Sequence, residues 1–321
     1  MKIKSGQIVS GKLQSYTIEK PIGHNSGMGD VFTAKDQRQN SVVLKFFQKR
    51  GDTFDKERQD RLIVEAQILK DLTISNNPYT VKYIDEAKSS IPDDFFLVIE
   101  FLDAFHIDDV VQKRRISEKE TIDISIKIAQ AIDGLHKRNA IHRDIKPQNI
   151  MIGKGNGTPI LIDFGTAKML QTQAGPGTIG FMSEGWTCEH QRLGEMTWIK
   201  PDCDLYALGR VMFYMVTGVP PKKMDKSRGS TISHLNLPFL TKQHTTILQQ
   251  NCTSSFQNIL EKLLDPDHQT YHTATQLIQD LKAVNSSNAR PNHLGGTSTS
   301  KSQSQNAYIT LSGTTIQLEE S

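Results

Sequence analysis

The sequence predicts an α+β fold, and three observations carry that reading. Short apolar strands separated by turn residues fill most of the first hundred residues, one helical stretch interrupts them, and the chain beyond residue 103 reads mainly as helices. From Tyr16 to Phe47 the order is strand, glycine-rich turn, strand, turn, strand, written YTIEKPIG, HNSGMG, DVFTAKD and SVVLKFF. Lys56 to Leu72 places Leu62, Ala66 and Leu69 at helical spacing with Glu65 on an adjoining position. Tyr79 to Asp85 and Phe95 to Phe101 then read as two more strands, giving an expected sheet of five. Ser117 and Glu120 form a capping-box pattern that opens a helix running to about Arg138. Its Ile124, Ile128, Ala131 and Leu135 line one face and Ile122, Ile126 and Ala129 a neighbouring one, as expected of a helix buried on most sides. In DLYALGRVMFYMVTG, from Asp204, the residues Met212, Phe213, Met215 and Val216 mark a core helix, and further helices are expected to end near Ala283.

Residues 1–15 read as an N-terminal extension, residues 285–306, rich in Ser, Asn, Gly, Thr and Gln, as a flexible linker, and residues 307–321 as a hairpin. The hairpin follows from AYITLSGTTIQLEE, where Ile309 and Leu311, then Ile316 and Leu318, alternate about a Ser-Gly turn. An isolated hairpin is marginal in water. Docking on the rest of the chain, pairing with another chain, disorder, and the start of a further domain in a longer protein, such as the forkhead-associated domain whose opening strands this stretch weakly resembles, are the alternatives.

The 321 residues are 36% hydrophobic, enough for a sizeable core in one large or two smaller domains. A net charge of +3 with 23% charged residues gives no reason to expect nucleic acid or a membrane surface as the main partner. Three cysteines, Cys188, Cys203 and Cys252, are too few and odd in number for a disulfide framework, and fit a reducing cytoplasm. The opening MKIKSGQIVSGK lacks the apolar stretch of a signal peptide, and the apolar runs Phe95 to Ile99 and Val211 to Val216 are too short to span a bilayer. Together these read as a cytoplasmic protein.

Candidate chemistry concentrates in IHRDIKPQN, Ile141 to Asn149, with ILIDFG, Ile160 to Gly165, as its partner. Asp144 is a candidate base, Lys146 a cation and Asn149 an oxygen ligand. Asp163, a second carboxylate, follows the apolar Ile160, Leu161 and Ile162 of a short buried strand. A base, a lysine, and a carboxylate with an amide able to share a hard cation suit phosphoryl transfer, where charge must be balanced more than bonds made. Lys45 ends the apolar run VVLK, where an unpaired ammonium would be costly. Cys188, His190 and Cys203 with Glu189 fit no zinc spacing and are read as chance proximity.

These segments resemble the catalytic loop and metal-binding loop of protein kinases, and the resemblance extends from Tyr16 to about Ala283. It implies a two-lobed kinase fold, with a small antiparallel-sheet lobe plus one helix over residues 16–102 and a larger, mainly helical lobe over 103–284. It implies a Lys45–Glu65 ion pair with Lys45 on the α- and β-phosphates of ATP, Asp144 accepting the substrate proton, Lys146 steadying the γ-phosphoryl, and Asn149 with Asp163 holding Mg²⁺. His142, Phe164, Leu69 and Tyr83 fall where the family stacks a spine, and Asp204 where an aspartate holds the catalytic-loop backbone.

For the nucleotide the resemblance implies Gly23, Ser26, Gly27 and Gly29 in the phosphate-covering loop, flanked by Ile22 and Val31, Val43 over the adenine, Ile99 guarding the back of the pocket, and Glu100 with Leu102 at the hinge. The family's G-x-G-x-x-G-x-V is matched by Gly29 and Val31, whereas Ser26 replaces the middle glycine and Gly23 lies one residue too far upstream. Val43 stands where the family usually has alanine. Lys146 in DIKPQN and Thr178 in GTIGF point to serine/threonine substrates, Thr178 as the residue expected to contact the catalytic Asp and Lys. Thr172 is the candidate autophosphorylation site, to which Arg143 would respond. The APE triplet appears as Ser183, Glu184 and Gly185, and the arginine that would pair with it as Gln269. Losing both members of a buried pair costs less than stranding one. A serine/threonine protein kinase acting on protein substrates, with a cognate phosphatase as a second partner, is the reading this resemblance implies. A nucleotide-binding pseudokinase scaffold and a small-molecule kinase remain the alternatives.

Overall fold

The computed structural model describes residues 3–22, 30–47, 50–88, 95–169, 183, 185–188, 200–220, 242–265, 270–288, 307–311 and 314–318. The chain divides into two compact units, one of Met1–Asp103, Gly134–His142 and Leu161–Gln173, the other of Ala104–Asp133, Arg143–Ile160 and Ala174–Ser321.

In the first unit, β1 (Ile8–Ser10), β2 (Ser15–Pro21), β3 (Asp30–Lys35), β4 (Ser41–Phe46), β5 (Tyr83–Glu86) and β6 (Phe96–Glu100) form one antiparallel sheet in the order β1-β2-β3-β4-β6-β5. Strand alternation sends Tyr16, Ile18, Val42, Leu44, Phe96 and Val98 into one buried cluster. Each such side chain contributes about 1.5–3 kcal/mol of burial. Within the expected N-terminal extension, Ile8–Ser10 is therefore a strand, and the sheet has six strands where the sequence pattern predicts five. Past β1, Gly11 bridges Ala87, the Lys12 N–H donates to the Glu86 carbonyl at 2.9 Å and the Lys88 N–H to the Ser10 carbonyl at 3.0 Å. The two outer strands thus meet, and their edges are covered. Asp85 secures the closure, accepting from the Tyr16 hydroxyl and the Leu13 N–H, both at 3.0 Å. A Cβ on Gly11 would lie 2.2 Å from an Asp85 carboxylate oxygen, so glycine is required there. The polar composition of residues 1–15 hides this strand, because its partner groups are distant in sequence.

Helix α1 (Asp55–Ile74) buries Arg58, Leu62, Glu65, Ala66, Leu69 and Leu72, a helical stripe that carries Glu65 inward with the apolar residues. The expected strand from Tyr79 to Asp85 starts later, at Tyr83. Tyr79 and Val81 instead exchange backbone hydrogen bonds with Leu161, at 2.8 and 3.0 Å.

In the second unit, β7 (Ala104–His106) leads into α2 (Ile107–Lys113), and α3 (Glu118–His136) follows, its final turn counted with the first unit. The capping box is realised: Ser117 Oγ accepts from the Glu120 N–H at 3.3 Å and Glu120 Oε2 from the Ser117 N–H at 3.0 Å. After α3 come β8 (Ala140–Ile141), counted with the first unit, a 3₁₀ turn at Pro147–Asn149, β9 (Ile150–Gly153), β10 (Pro159–Leu161) and β11 (Lys168–Met169), the last again in the first unit. They pair as a three-stranded β10-β9-β7 sheet and a β11-β8 ribbon.

Helix α4 (Asp202–Thr217) is buried from Cys203 to Thr217 and closes at Gly218, whose left-handed φ of 69° lets its N–H reach the Tyr214 carbonyl at 2.8 Å. Helices α5 (Lys242–Asn251), α6 (Ser254–Leu263) and α7 (Ala274–Asn288) complete the described core. The linker was expected from residue 285, yet α7 continues to Asn288. Asn and Ser are weak helix formers, but Val284 is buried and the Asn285 side chain donates to Asp123 at 3.0 Å, so packing carries the helix on. The tail forms the expected hairpin, β12 (Ala307–Leu311) against β13 (Thr314–Leu318), with Ile309 opposite Ile316.

Candidate active site

The sheet register assembles the first half of the chemistry. Val31 lies opposite Lys45, Val43 opposite Ile99 and Lys45 opposite Leu97. Directly opposed residues share a face, so Val31, Val43, Lys45 and Ile99 project together, on the side away from Val42 and Leu44. Four of the sequence-predicted nucleotide residues thus come to one surface. Ile22 joins them through its N–H, which donates to the Val31 carbonyl at 2.7 Å. At the predicted hinge, the Glu100 N–H donates to the Lys82 carbonyl at 3.0 Å and its side chain accepts from the Lys82 N–H at 2.8 Å. Leu102 is half-buried. Gly23, Ser26, Gly27 and Gly29 lie outside the described residues.

Lys45 is 7% exposed and Glu65 2%, so neither could hold its charge alone. The Lys45 ammonium donates to both Glu65 oxygens, at 2.9 and 2.8 Å, and to Asp163 at 2.7 Å. Burial pulls its pKa down, but the Asp163 and Glu65 charges outweigh that and leave it above the ordinary lysine value. Burial also works against the Asp163 carboxylate, and Lys45 overrides it, holding the pKa at about 2. For Glu65 burial prevails over the attraction of Lys45 and raises the pKa. Asp163 sits at a φ of 60°, a left-handed conformation costing about 1–3 kcal/mol that its neighbours must enforce. The next residue, Phe164, donates its N–H to Glu65 at 3.2 Å and sets its ring against His142 at 4.8 Å between centroids. Leu69, His142 and Phe164 are all fully buried, as packing residues should be.

The second unit holds the other half. Asp144 is 4% exposed, and its Oδ2 accepts from Lys146 Nζ at 2.7 Å and Asn149 Nδ2 at 3.0 Å. Asn149 Nδ2 also donates to the Asp144 carbonyl at 2.8 Å, folding the loop back on itself. Asp204, at the start of α4, accepts the Arg143 N–H at 2.8 Å and so holds the loop backbone where Arg143 has a φ of 71°.

One participant was not foreseen. Ser183 donates its hydroxyl to Asp144 Oδ1 at 2.6 Å and accepts from Lys146 at 2.8 Å, the contacts that the resemblance assigns to Thr178. No local sequence signal marks Ser183, since it reads only as the first residue of an altered triplet. Gly185 explains part of that alteration. The Trp186 N–H returns to the Ser183 carbonyl at 3.1 Å across a tight turn in which Gly185 has a φ of 92°, where a glutamate would be strained. Thr172, Thr178, Glu184 and Gln269 lie outside the described residues. So do Glu189 and His190 of the cysteine-rich stretch, although Cys188 and Cys203 meet at 2.7 Å between sulfurs as buried free thiols.

A family profile described as the protein kinase domain matches residues 16–281. The chain belongs to the protein kinase domain family. Its antiparallel-sheet unit with α1 and its mainly helical unit are the α+β kinase fold expected from the sequence. Among relatives, it is 28% identical over 84% of its length to a probable serine/threonine-protein kinase of Clostridium perfringens, covering 38% of that protein. It is 28% identical over 87% of its length to serine/threonine-protein kinase D of a Synechocystis species, covering 54% of it. It is also 28% identical over 82% of its length to serine/threonine-protein kinase PknB of Mycolicibacterium smegmatis, covering 42%. This kinase domain chain thus spans about two-fifths to half the length of these curated relatives. No helix among the described residues is long and apolar enough to cross a membrane.

Proposed function

We propose that this chain is a serine/threonine protein kinase that transfers the γ-phosphoryl of ATP to a protein hydroxyl with Mg²⁺. The observation that carries the reading is the Asp144 carboxylate, held on one oxygen by Lys146 and Asn149 and meeting a serine hydroxyl on the other at 2.6 Å. That is the reach a general base needs to take an alcohol's proton. Lys146, bonded to both base and hydroxyl, would lie beside the phosphoryl being transferred. Lys45, kept cationic by Glu65, would take the α- and β-phosphates, and the face bearing Val31, Val43 and Ile99 would receive the adenine with Ile22, Glu100 and Leu102.

The donor set for the metal fits a hard cation. Asp163 is held ionised, and Asn149 makes its two hydrogen bonds through Nδ2, which leaves the oxygen Oδ1 unspent by them. The resemblance assigns Mg²⁺ to these two groups, and the ion would neutralise phosphate charge. Thr178 on the substrate platform, Thr172 as a regulatory phosphate acceptor, a protein substrate and a cognate phosphatase belong to the same proposal. So does a cytoplasmic location, in keeping with three free cysteines.

The test is transfer of labelled phosphate from ATP to a generic protein such as casein, with Mg²⁺, by the purified chain and its Asp144→Ala variant. Label in casein that depends on Asp144 is the expected result. No label, with ATP still bound, would replace the kinase by a nucleotide-binding scaffold. Label in aminoglycoside-like acceptors but not in protein would replace the substrate class.

A further inference from the structure

Cys188 and Cys203 stand 15 positions apart, yet the fold sets their sulfurs 2.7 Å from each other with both side chains buried. Their spacing assigns them no shared role, but their places in the fold do. Cys188 ends the turn that begins at Ser183, whose carbonyl accepts the Trp186 N–H at 3.1 Å and the Thr187 hydroxyl at 3.0 Å. Cys203 lies in the first turn of α4, one residue before Asp204, which accepts the Arg143 N–H in the loop that carries Asp144. A covalent bond between the two sulfurs would join the Ser183 turn to the helix that holds the candidate base. The resemblance leads one to expect an arginine at position 269 as the anchor of this part of the chain, and the chain has Gln269. A different link would have to serve.

The sulfurs need little movement to bond. A disulfide spans about 2.05 Å, so roughly 0.7 Å separates the present contact from a bond. Once one sulfur is oxidised, the closing step is between groups already held together. The Cys188 sulfur, and then burial, push the Cys203 thiol up, which keeps the pair reduced until a small oxidant reaches it. In a reducing compartment such bonds are transient and redox-sensing.

We propose that Cys188 and Cys203 form a reversible disulfide that anchors the Ser183 turn to α4 and thereby tightens the binding of protein substrate; the substrate part rests on the kinase reading above. The oxidant is hydrogen peroxide. One sulfur, as its thiolate, attacks a peroxide oxygen, the O–O bond breaks, and hydroxide leaves and takes up the released thiol proton as water, giving a sulfenic acid. The second sulfur attacks the first, the S–O bond breaks, and the departing hydroxide takes the second thiol proton as another water. Two thiols thus lose two electrons and two protons, and one peroxide becomes two waters. A small dithiol reverses the bond by exchange and is itself oxidised.

The experiment treats the full chain with hydrogen peroxide, removes it, alkylates the remaining thiols under denaturing conditions and maps the cysteines by tandem mass spectrometry. A peptide pair joined through Cys188 and Cys203, two hydrogens lighter and released by dithiothreitol, is expected. Cys252, half-buried and with its thiol pushed up to about 12 chiefly by burial, should remain alkylated and serves as the control. With labelled ATP, the oxidised chain should show a KM for casein lower by about fivefold, the low end of ordinary coupling between sites. Its KM for ATP should not move, since Lys45 and the adenine-facing residues lie in the other unit. Cys203→Ala should abolish the response to peroxide, and Cys252→Ser should keep it. If Cys188 and Cys203 are both alkylated after peroxide, or are carried singly to sulfinic acids, the disulfide is overturned. If the link forms and the KM for casein is unchanged, the anchoring role is overturned and the kinase reading stands. If casein is labelled in neither form, the kinase reading falls and the substrate part with it, while the linked peptide still decides the disulfide.

Discussion

The Lys45 cluster and the Asp144 cluster are held in different ways. Lys45, Glu65 and Asp163 come from a strand, a helix and a loop, and what joins them is charge removed from water. Asp144, Lys146 and Asn149 come from one short loop, joined by hydrogen bonds and by the Asp204 clasp on a left-handed Arg143. In the first cluster each carboxylate needs Lys45, and Lys45 needs the carboxylates, to stay charged while buried, so stability and chemistry are coupled. In the second, two bonds that do not use the Asp144 carboxylate, from Asn149 Nδ2 to the Asp144 carbonyl and from the Arg143 N–H to Asp204, also hold the loop, so the candidate base can be removed with less structural consequence.

The sharpest way to break this contrast is at Lys45. Lys45→Ala should abolish labelled-phosphate transfer and, by stranding Glu65, lower unfolding stability by about 3–5 kcal/mol in urea titrations. An unchanged midpoint would show that the cluster is not charge-balanced as described. Asp144→Ala should lower turnover by about 10²–10⁴-fold, the usual share of a general base. Its nucleotide affinity, measured by calorimetry, should stay near that of the wild type, and a matching loss of affinity would remove the distinction between the clusters. Asp204→Ala removes the acceptor of a buried N–H and should cost about 1–3 kcal/mol, testing how far the clasp alone holds the loop.

Acid titration separates the clusters further. The folded pKa of Asp163, about 2, lies below its unfolded value, so its contribution is present above about pH 4 and is lost as pH falls through the folded value. The stability difference between wild type and Asp163→Asn should therefore shrink as pH is lowered across that window, and a constant difference would contradict the ion pair. The smallest effect is expected outside both clusters. Ser117→Ala removes one side of the α3 capping box and should cost about 1 kcal/mol with transfer unchanged.

Much of the site was legible because its residues sit in short runs. IHRDIKPQN and ILIDFG identify Asp144, Lys146, Asn149 and Asp163 by type and order, and an ammonium at the end of VVLK asks for a partner such as Glu65. The capping box and the buried helix from Asp204 were equally local. The sixth strand was not, because β1 is defined by pairing with β2 and by a bridge to Ala87, and neither leaves a pattern within residues 1–15. The end of α7 was misjudged for a related reason, since Asn285 is held by Asp123 across the fold.

By itself the sequence determined the α+β class, the candidate catalytic side chains and the alternation that sends Lys45 and Val43 to one face of β4. These depend on residue type and local period, which the chain carries wherever it folds. Only the tertiary structure decided that Lys45 answers to two carboxylates, that the sheet closes on its own N-terminal strand, and that Ser183 meets Asp144. Each of those is a contact between groups distant in sequence, selected because burial makes an unpartnered charge or hydrogen-bonding group too costly to leave alone.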